Sequence, residues 1–589
     1  MKASCTPIAV LAIITLLAFP SLSDAQYGPN CPILGAVFLA PKDVLKESEI
    51  IPNALSNLQD TLQKIVENAT LFDKANTSFH LNLFSEDDNL LSFGHAGTNL
   101  TESALPAGTL NEDTIFRIGS ISKLVTVYAL LAEVGMDRMR DAVTTWVPEL
   151  ANVANTGSKN VVGQVGWEDV TIGALASHQA GLDRDFSLAD LALRVNATTA
   201  EQNALPPLAP NEIPSCGLDI LLPPCSRTEF FKGMEGLHPV TSVFHTPIYS
   251  NIAFQILAYA VEGMANKSFT DIFQSSIIER LGLKRTSLQP PQSTKDGIIP
   301  ENELSSWWNL TTGDATPYGG MFSSGRDMAV IGRSILNSTL LEPALTRKWL
   351  HPVTHTADLH VAVGMPWEIH RLLLPISPEY NYTRVVDLYT KNGQLGGYAA
   401  LFVLSPEHNF GFSLLLASPT APTEAQARLA AMTLIGDVVT YTMVSAFEQA
   451  ARDQASRKFA GTYASSNMTL AISVNSGHPG LKISNWTMGS ENVLELYSGS
   501  PDTDARLYPI DLAGGGKIAF RAVYEPSREA FYTAQPGIVF SRGCLPWGDV
   551  ASPQYGNIAF DDFVFDVNEN GEAIAISPRV TRQTLLKVE

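Results

Sequence analysis

The sequence predicts an α+β protein: an antiparallel sheet flanked by helices, an all-helical region, and a smaller β-rich domain at the carboxyl end. Residues 45–450 contain both strand-like and helical runs. After residue 456 the helical periodicity fades, and short strand-like segments punctuated by Gly and Pro follow. A chain of 589 residues is also too long for one ordinary core, so more than one domain is expected.

The elements follow from periodicity and from Gly and Pro positions. Helices are predicted at 46–67, 120–133, 169–195, 249–263, 268–280, 325–350 (two helices) and 422–451. Strands are predicted at 78–84, 90–95, 385–389, 398–404 and 410–416, and in the tail at 470–474, 518–520 and 560–567. Residues 203–225 contain six prolines and two cysteines, which predicts a surface insertion.

Composition excludes several classes of protein. Hydrophobic residues make up 45% of the chain and charged residues 17%, which is typical of a globular protein and not of a disordered one. The formal net charge of −20 and the lack of a basic run argue against a nucleic-acid partner. A small-molecule partner is compatible with this composition, and the oligomeric state stays open.

The amino terminus has the pattern of a secretory signal. Lys2 precedes an apolar run at residues 8–19, and the small residues Ser23 and Ala25 suit cleavage before Gln26. The alternative is an anchor helix, but the run is shorter than the ~20 residues that a bilayer requires. The domains predicted from the sequence are a signal peptide at 1–25, a main domain at 26–455 and a β-rich domain at 456–589. The mature protein is expected outside the cell, without a membrane contact.

The cysteines fit an oxidising compartment. Cys5 leaves with the signal, and an even number remains, which favours disulfides. Four cysteines allow three connectivities. Cys216 and Cys225 bracket a short Pro-rich loop and are predicted to pair, which leaves Cys31 with Cys544. No C-x-x-C or histidine spacing indicates zinc, so no metal or other cofactor is expected.

Sequons for N-linked glycosylation are numerous. A single sequon is weak evidence, whereas many on a secreted chain suggest a glycosylated surface if the host is eukaryotic. The sequon asparagines are Asn68, Asn76, Asn99, Asn196, Asn266, Asn309, Asn337, Asn381, Asn467 and Asn485.

The chain contains one Ser-x-x-Lys, formed by Ser120 and Lys123 at the start of a predicted helix. Residues i and i+3 lie on one helical face, so the amine can approach the hydroxyl. The helix is apolar nearly all round, which predicts that it is buried. A buried lysine is costly unless it is paired or neutral, and this favours a chemical use. The alternative is that Ser120 is a helix cap and Lys123 a packed side chain.

Two further motifs occur later in the chain. Tyr249-Ser-Asn251 precedes an apolar helix, and alternate residues of an extended segment point the same way, so a phenol and an amide could enter one cavity. Lys391-Asn-Gly393 lies among strand-like runs, where a lysine can hold a substrate carboxylate or tune a phenol. Both patterns carry little information alone: Tyr249 could be a packed tyrosine and Lys391 an edge-strand lysine.

Taken in order, these motifs resemble the serine β-lactamase and penicillin-binding protein family. The resemblance is greatest to class C β-lactamases and to the D-alanyl-D-alanine carboxypeptidase and esterase relatives. Residues 177–182 (SHQAGL) are similar to the family's THTSGL segment, and residues 319–327 to the helix start that follows its GGL sequence. Residues 391–416 resemble its KTG strand and the next strand. The resemblance covers residues 45–450 and implies a β-lactamase/transpeptidase-like fold. The signal, the sequons and the extra domain resemble secreted fungal members.

The resemblance also implies roles for the motif residues. Ser120 would attack the acyl carbon, Lys123 and Tyr249 would manage its proton, and Asn251 would position the substrate amide or Lys123. The expected activity is that of a serine hydrolase acting on an ester, amide or β-lactam-like substrate. An acyltransferase of the same fold and an inactive binding protein are the alternatives.

The strand motif implies the substrate side of the site. The backbone N–H groups of Ser120 and Gln394 would form an oxyanion hole, and Lys391 would supply positive charge. Asn392, Gly393 and Gln394 would contact the substrate. Asn392 replaces the usual Thr, and Gln394 replaces a common small residue, so esters or small amides are expected to be better substrates than β-lactams. No G-x-S-x-G, H-E-x-x-H or P-loop motif supports another class.

Overall fold

The structure is a computed structural model, and it describes residues 26–27, 32–154, 160–188, 190–195, 197–218, 222–377, 380–475, 477–498, 500, 503–526 and 546–588. The chain divides into two compact units, which are considered separately. The larger unit comprises residues 55–371 and 387–440. The second unit comprises residues 372–386 and 441–589 together with residues 1–54, as far as these are described.

The main sheet is antiparallel between its neighbouring long strands, as predicted. Its order is β3-β2-β11-β10-β9-β8-β7-β6, and β1 pairs in parallel with β9. Strand β2 pairs with β11, so strands from early and late in the chain are neighbours in the sheet. The strands are β1 Gln26–Tyr27, β2 Ser78–Ser85, β3 Asn89–His95, β6 Thr354–His355, β7 Val361–Val363, β8 Glu368–Ser377, β9 Tyr380–Leu395, β10 Tyr398–Ser405 and β11 Phe410–Ala417.

A short separate ladder joins β4 (Ile115–Arg117) to β5 (Phe322–Ser324). The helices up to β11 are α1 Ile50–Glu67, α2 Ile121–Glu133, α3 Pro148–Ala154, α4 Ile172–Ala176, α5 Ala197–Gln202, α6 Arg227–Met234, α7 Ile252–Ala265, α8 Phe269–Phe273, α9 Glu279–Leu281, α10 Thr316–Gly319, α11 Gly325–Leu336 and α12 Pro343–Leu350. A π-helical turn, Gln274–Ile278, links α8 to α9. Helix α2 begins just after β4, and α10 ends just before β5. The β4–β5 ladder therefore brings the start of α2 close to the end of α10.

The predicted helix at 169–195 is wrong in extent. Only α4 and a 3₁₀ turn, Leu191–Leu193, are helical in the described part of it. His178 and Gly181 have positive φ values of 58° and 66°, which end the helix. The chain then pairs with a later segment: the Val240 N–H donates to the Gly181 carbonyl, and the Ile248 N–H donates to that of His178. These long-range bonds outweigh a local helical preference.

Helix α13 (Pro422–Phe459) is longer than predicted and runs from the larger unit into the second. Among the described helices it alone has the length and hydropathy to cross a membrane, whereas the sequence was expected to contain no such stretch beyond the amino-terminal run. More than half of its most apolar stretch is buried inside the protein. The helix therefore has the burial expected of a core helix.

The second unit contains a nine-stranded sheet that curls into a barrel, because β13 pairs with both β12 and β14. Its aromatic core includes Trp486, Phe520 and Phe565. The β-rich tail is therefore confirmed, while the predicted boundary at residue 456 stays a prediction. The elements are β12 Gly461–Ala464, β13 Met468–Ser473, β14 Leu481–Met488, β15 Glu491–Asn492, α14 Val493–Ser498, β16 Thr503–Gly514, β17 Lys517–Pro526, α15 Pro546–Asp549, β18 Gln554–Tyr555, β19 Ile558–Ala559, β20 Asp562–Val567, β21 Ala573–Pro578 and β22 Leu585–Lys587.

The predicted Cys216–Cys225 disulfide is present. Cys31, Cys544 and the signal peptide at 1–25 lie outside the described residues, so these predictions stay open. The same holds for the sequon at Asn196, and Asn381 lies in β9 with its side chain not described. Asn76 is half-buried, and the other sequon asparagines are exposed, which is compatible with glycosylation without showing it.

Candidate active site

The site begins at the amino terminus of α2. Ser120 is the N-cap residue, and every residue from Ile121 to Leu131 is buried, as the apolar pattern predicts. Ser120 itself is half-buried, so its hydroxyl is at the positive end of a buried helix and still accessible.

Lys123 lies one turn into α2, and its side chain is completely buried. Its Nζ is 3.0 Å from Ser120 Oγ, 2.5 Å from Asn251 Oδ1 and 2.6 Å from the Tyr318 carbonyl oxygen. Burial is the main reason why the pKa of Lys123 is well below its ordinary value, and the positive charge of Lys391 lowers it further. The low pKa favours a neutral amine.

A neutral amine has two hydrogens and one lone pair. The Tyr318 carbonyl and Asn251 Oδ1 can only accept, so both hydrogens have fixed partners. The lone pair is then left for the third neighbour, the Ser120 hydroxyl. This arrangement presents Lys123 to Ser120 as a proton acceptor.

Helix α10 is fixed against α2 by side chains one turn apart. Thr126 Oγ1 donates to the Pro317 carbonyl at 2.7 Å, and Ser122 Oγ accepts from the Met321 N–H at 3.1 Å. The Tyr318 carbonyl is thereby held over Lys123. Arg117 holds the chain around α10, since its guanidinium donates to the carbonyls of Trp308, Leu310 and Gly320.

Tyr249 provides a second contact to Ser120. Its hydroxyl donates to Ser120 Oγ at 2.7 Å. Its ring stacks on the His178 ring, with centroids 4.5 Å apart and an interplanar angle of 25°. Burial lowers the pKa of His178 well below its usual value, so the imidazole beneath the phenol is neutral. The SHQAGL motif thus supports Tyr249 from behind.

Lys391 lies within β9 and is almost fully buried. Its Nζ is 5.2 Å from the Tyr249 ring centroid and 2.5 Å from Glu368 Oε1. The other oxygen of Glu368 accepts from Asn392 Nδ2 at 2.6 Å. The charge of Lys391 therefore has a partner within the protein, which the sequence did not suggest.

Glycines bring β9 against the start of α2. A Cβ on Gly393 would lie 2.7 Å from the Ser120 backbone nitrogen, and one on Gly119 would lie 2.4 Å from the Gln394 backbone nitrogen. Such distances are shorter than any side chain tolerates. The structure therefore places the two amides of the predicted oxyanion hole on facing segments.

The structure brings together every residue predicted for the site, from Ser120 and Lys123 to the 391–394 strand. Sequence reasoning missed Glu368, the Tyr318 carbonyl and Asp185, whose Oδ1 accepts a hydrogen bond from Asn251 Nδ2. Glu368 and Lys391 are far apart in the chain, so no local pattern joins them, and a backbone carbonyl has no sequence signature. Asp185 lies three residues after the SHQAGL segment, and that position was the one available signal.

Comparison with known proteins gives the same classification. Residues 63–437, more than half of the chain, match the family model described as "Beta-lactamase". The chain belongs to this family, so the resemblance predicted from its motifs is confirmed. Residues 451–589 match a second model, described as "Beta-lactamase-like-like, C-terminal domain".

The chain has several curated relatives. A β-lactamase-like protein of Arthroderma benhamiae is 25% identical over 97% of this chain and 98% of its own length. A protein of Phoma sp. named as a probable hydrolase is 26% identical over 80% of this chain and 75% of its own. A solved β-lactamase/D-alanine carboxypeptidase from Yersinia pestis has a TM-score of 0.47 and 18% identity, covering 66% of this chain and 99% of that one.

Proposed function

We propose that the protein is a hydrolase that forms an acyl-enzyme at Ser120 on a small ester, amide or β-lactam-like substrate. The observation that supports this most directly is the environment of Lys123, a buried amine 3.0 Å from Ser120 Oγ with two acceptor-only partners. A merely structural lysine has no need of this geometry.

The first chemical step follows from these contacts. As Ser120 Oγ bonds to the acyl carbon, its proton moves to Lys123 Nζ, and the carbonyl oxygen becomes an oxyanion. The N–H groups of Ser120 and Gln394 would stabilise that oxyanion. When the bond to the leaving group breaks, Lys123 gives up the proton that it took from Ser120, and the Tyr249 hydroxyl, 2.7 Å from Oγ, relays a proton to the leaving atom. Water then releases the acid and restores Ser120.

We also propose that the protein acts outside the cell. The disulfide between Cys216 and Cys225 is compatible with an oxidising compartment, and so is the signal pattern at residues 1–25. The relatives from Arthroderma benhamiae and Phoma sp. are compatible with the proposed resemblance to secreted fungal proteins.

Covalent labelling tests the nucleophile. A fluorophosphonate probe is expected to modify the purified protein at Ser120, because the hydroxyl is half-buried and adjacent to a proton acceptor. Peptide mapping after labelling locates the adduct, and Ser120→Ala should abolish it. Ser490→Ala is the control, since it makes the same chemical change at an exposed serine of the second unit and should leave the adduct at Ser120. An adduct elsewhere, or a folded protein that is not labelled, would favour a binding protein.

Substrate preference is a second test. We expect a short-chain p-nitrophenyl ester to be cleaved with a higher kcat/KM than a chromogenic cephalosporin. Asn392 occupies the place of a hydroxyl donor, and Gln394 adds an exposed, bulky side chain on the same strand. A displaced contact of this kind costs about 1–3 kcal/mol, or roughly 10–100-fold in rate. A tenfold advantage for the cephalosporin would show that this interpretation of the two residues is wrong.

A further inference from the structure

The side-chain amide of Asn251 is held on both sides. Its Oδ1 lies 2.5 Å from Lys123 Nζ, and its Nδ2 donates to Asp185 Oδ1, also at 2.5 Å. Asn251 is 7% exposed, and Lys123 is fully buried, so water has little access to these bonds. The amide thus connects the buried amine to a carboxylate that none of the motifs includes.

Backbone bonds hold the two segments in register. The Asn251 N–H donates to the Arg184 carbonyl at 2.6 Å, and Ser250 Oγ donates to the Asp183 carbonyl at 2.7 Å. The second oxygen of Asp185 is 3.3 Å from Arg184 Nε. Asp185 therefore meets Asn251 as part of a fixed pairing of two chain segments, and a free surface side chain would not be held in this way.

A carboxylate limits how an amide beside it can be oriented. An asparagine side chain can turn by 180° and exchange its oxygen and nitrogen, and only its partners decide between the two states. An ionised Asp185 accepts and never donates. The flipped amide would point Oδ1 at this carboxylate and Nδ2 at the amine of Lys123, so both contacts would be lost.

We propose that Asp185 is a positioning residue for acylation, which holds the Asn251 amide in the orientation that offers Oδ1 to Lys123. The inference rests on the proposed function, since it assigns a task within the same site. Without Asp185, the amide can turn, one hydrogen of Lys123 loses its acceptor, and the lone pair is no longer directed at Ser120.

The pH dependence of acylation provides an independent readout, because the charged groups around Lys123 affect its pKa. Lys391 and Arg184 lower the pKa of Lys123, while Asp185 and Glu368 raise it, and burial has the largest effect. The neutral His178 ring, the Ser120 hydroxyl and the phenols of Tyr249 and Tyr318 also lie near the amine, in addition to its two fixed acceptors. Acylation requires neutral Lys123, so its rate rises with pH through this pKa. Loss of Asp185 should shift that rise to lower pH, and loss of Arg184 should shift it to higher pH.

The experiment measures the rate constant for fluorophosphonate labelling of Ser120 against pH in the full-length protein. Asp185→Ala should slow labelling at the plateau by ~10–100-fold, because a misdirected proton acceptor has costs of this order. Asp185→Asn keeps an acceptor without the charge, so it should recover most of that rate and still show the shift to lower pH. Arg184→Gln is the matched control at the adjacent residue, and its shift should have the opposite sign.

A double-mutant cycle separates positioning from general damage. In an Asn251→Ala background, Asp185→Ala should cause no further loss of rate, because Asp185 acts through the amide. An equal loss in both backgrounds, or labelling of Asp185→Ala at the wild-type rate, would overturn the inference and leave the proposed function standing. If wild-type protein is not labelled at Ser120, the inference and the proposed function are both wrong. Should Asp185→Ala not fold, Asp185→Ser replaces it, since a hydroxyl is too short to reach Nδ2.

Discussion

Replacing Lys123 by alanine is expected to slow acylation of Ser120 by about 10²–10⁴-fold, the usual cost of losing a positioned proton acceptor. The Lys123 amine lies 3.0 Å from Ser120 Oγ, and burial lowers its pKa. The lower pKa favours the neutral amine, which can accept a proton. The measurement is the labelling rate, or kcat/KM for an ester, between pH 5 and 10. Wild-type protein should gain rate with rising pH through the depressed pKa of Lys123, and Lys123→Ala should lack that rise.

Tyr249→Phe is the informative comparison for this variant. It removes the hydroxyl 2.7 Å from Ser120 Oγ but keeps the ring that stacks on His178. Its rate should fall, while the pH dependence due to Lys123 remains. A Lys123→Ala variant with the wild-type rate and pH profile would exclude Lys123 as the base. Full activity of Tyr249→Phe on every substrate would leave Tyr249 as a packing residue.

Gly393→Ala is expected to reduce kcat by about 10²–10³-fold, the cost of losing an oxyanion-hole donor. A Cβ at this position would lie 2.1 Å from the Ile118 carbonyl oxygen and 2.7 Å from the Ser120 nitrogen. Strand β9 must therefore move away from α2, which separates the Gln394 N–H from that of Ser120. Initial rates on an ester, normalised to the fraction of folded protein, measure the effect.

Gly514→Ala is the matched control for this substitution. It makes the same chemical change in the second unit, where a Cβ would meet nothing within 4 Å. Its kcat and melting temperature should match those of the wild type. If Gly393→Ala also keeps the wild-type kcat, the two backbone amides do not form the oxyanion hole.

The periodicity of apolar residues was sufficient to predict those elements whose tertiary contacts agree with their local preference for helix or strand. The apolar run of α2 and the alternating pattern of β2 predicted a buried helix and a strand correctly. The 169–195 segment was predicted wrongly, because bonds to residues 240–248 determine its course. Strand β8 was missed, and Glu368 with it, since only three-dimensional pairing places that residue beside Lys391.

The motifs located Ser120 and the side chains that surround it, because the proposed chemistry restricts the residue types. The pair of Ser120 and Lys123 could be recognised from the sequence, because both residues lie within one turn of the same predicted buried helix. The network behind it uses a backbone carbonyl at Tyr318 and a carboxylate at Asp185, and neither contact is visible in sequence spacing. What remained unpredicted is therefore the set of groups that contact and orient Lys123, while the groups proposed to react were found.

Neighbouring positions of β9 differ in the side chains that they can accept, because one of them contacts the start of α2. Gly393 has no room for a side chain, whereas Asn392 on one side is half-buried and Gln394 on the other is exposed. A substitution at Gln394 alters an exposed side chain, and one at Asn392 alters the contact to Glu368, but neither places an atom between the two backbone segments that carry the amides. Under the proposed function, an inherited or engineered change of substrate could therefore arise on this strand one residue away from a position where a side chain would displace the backbone.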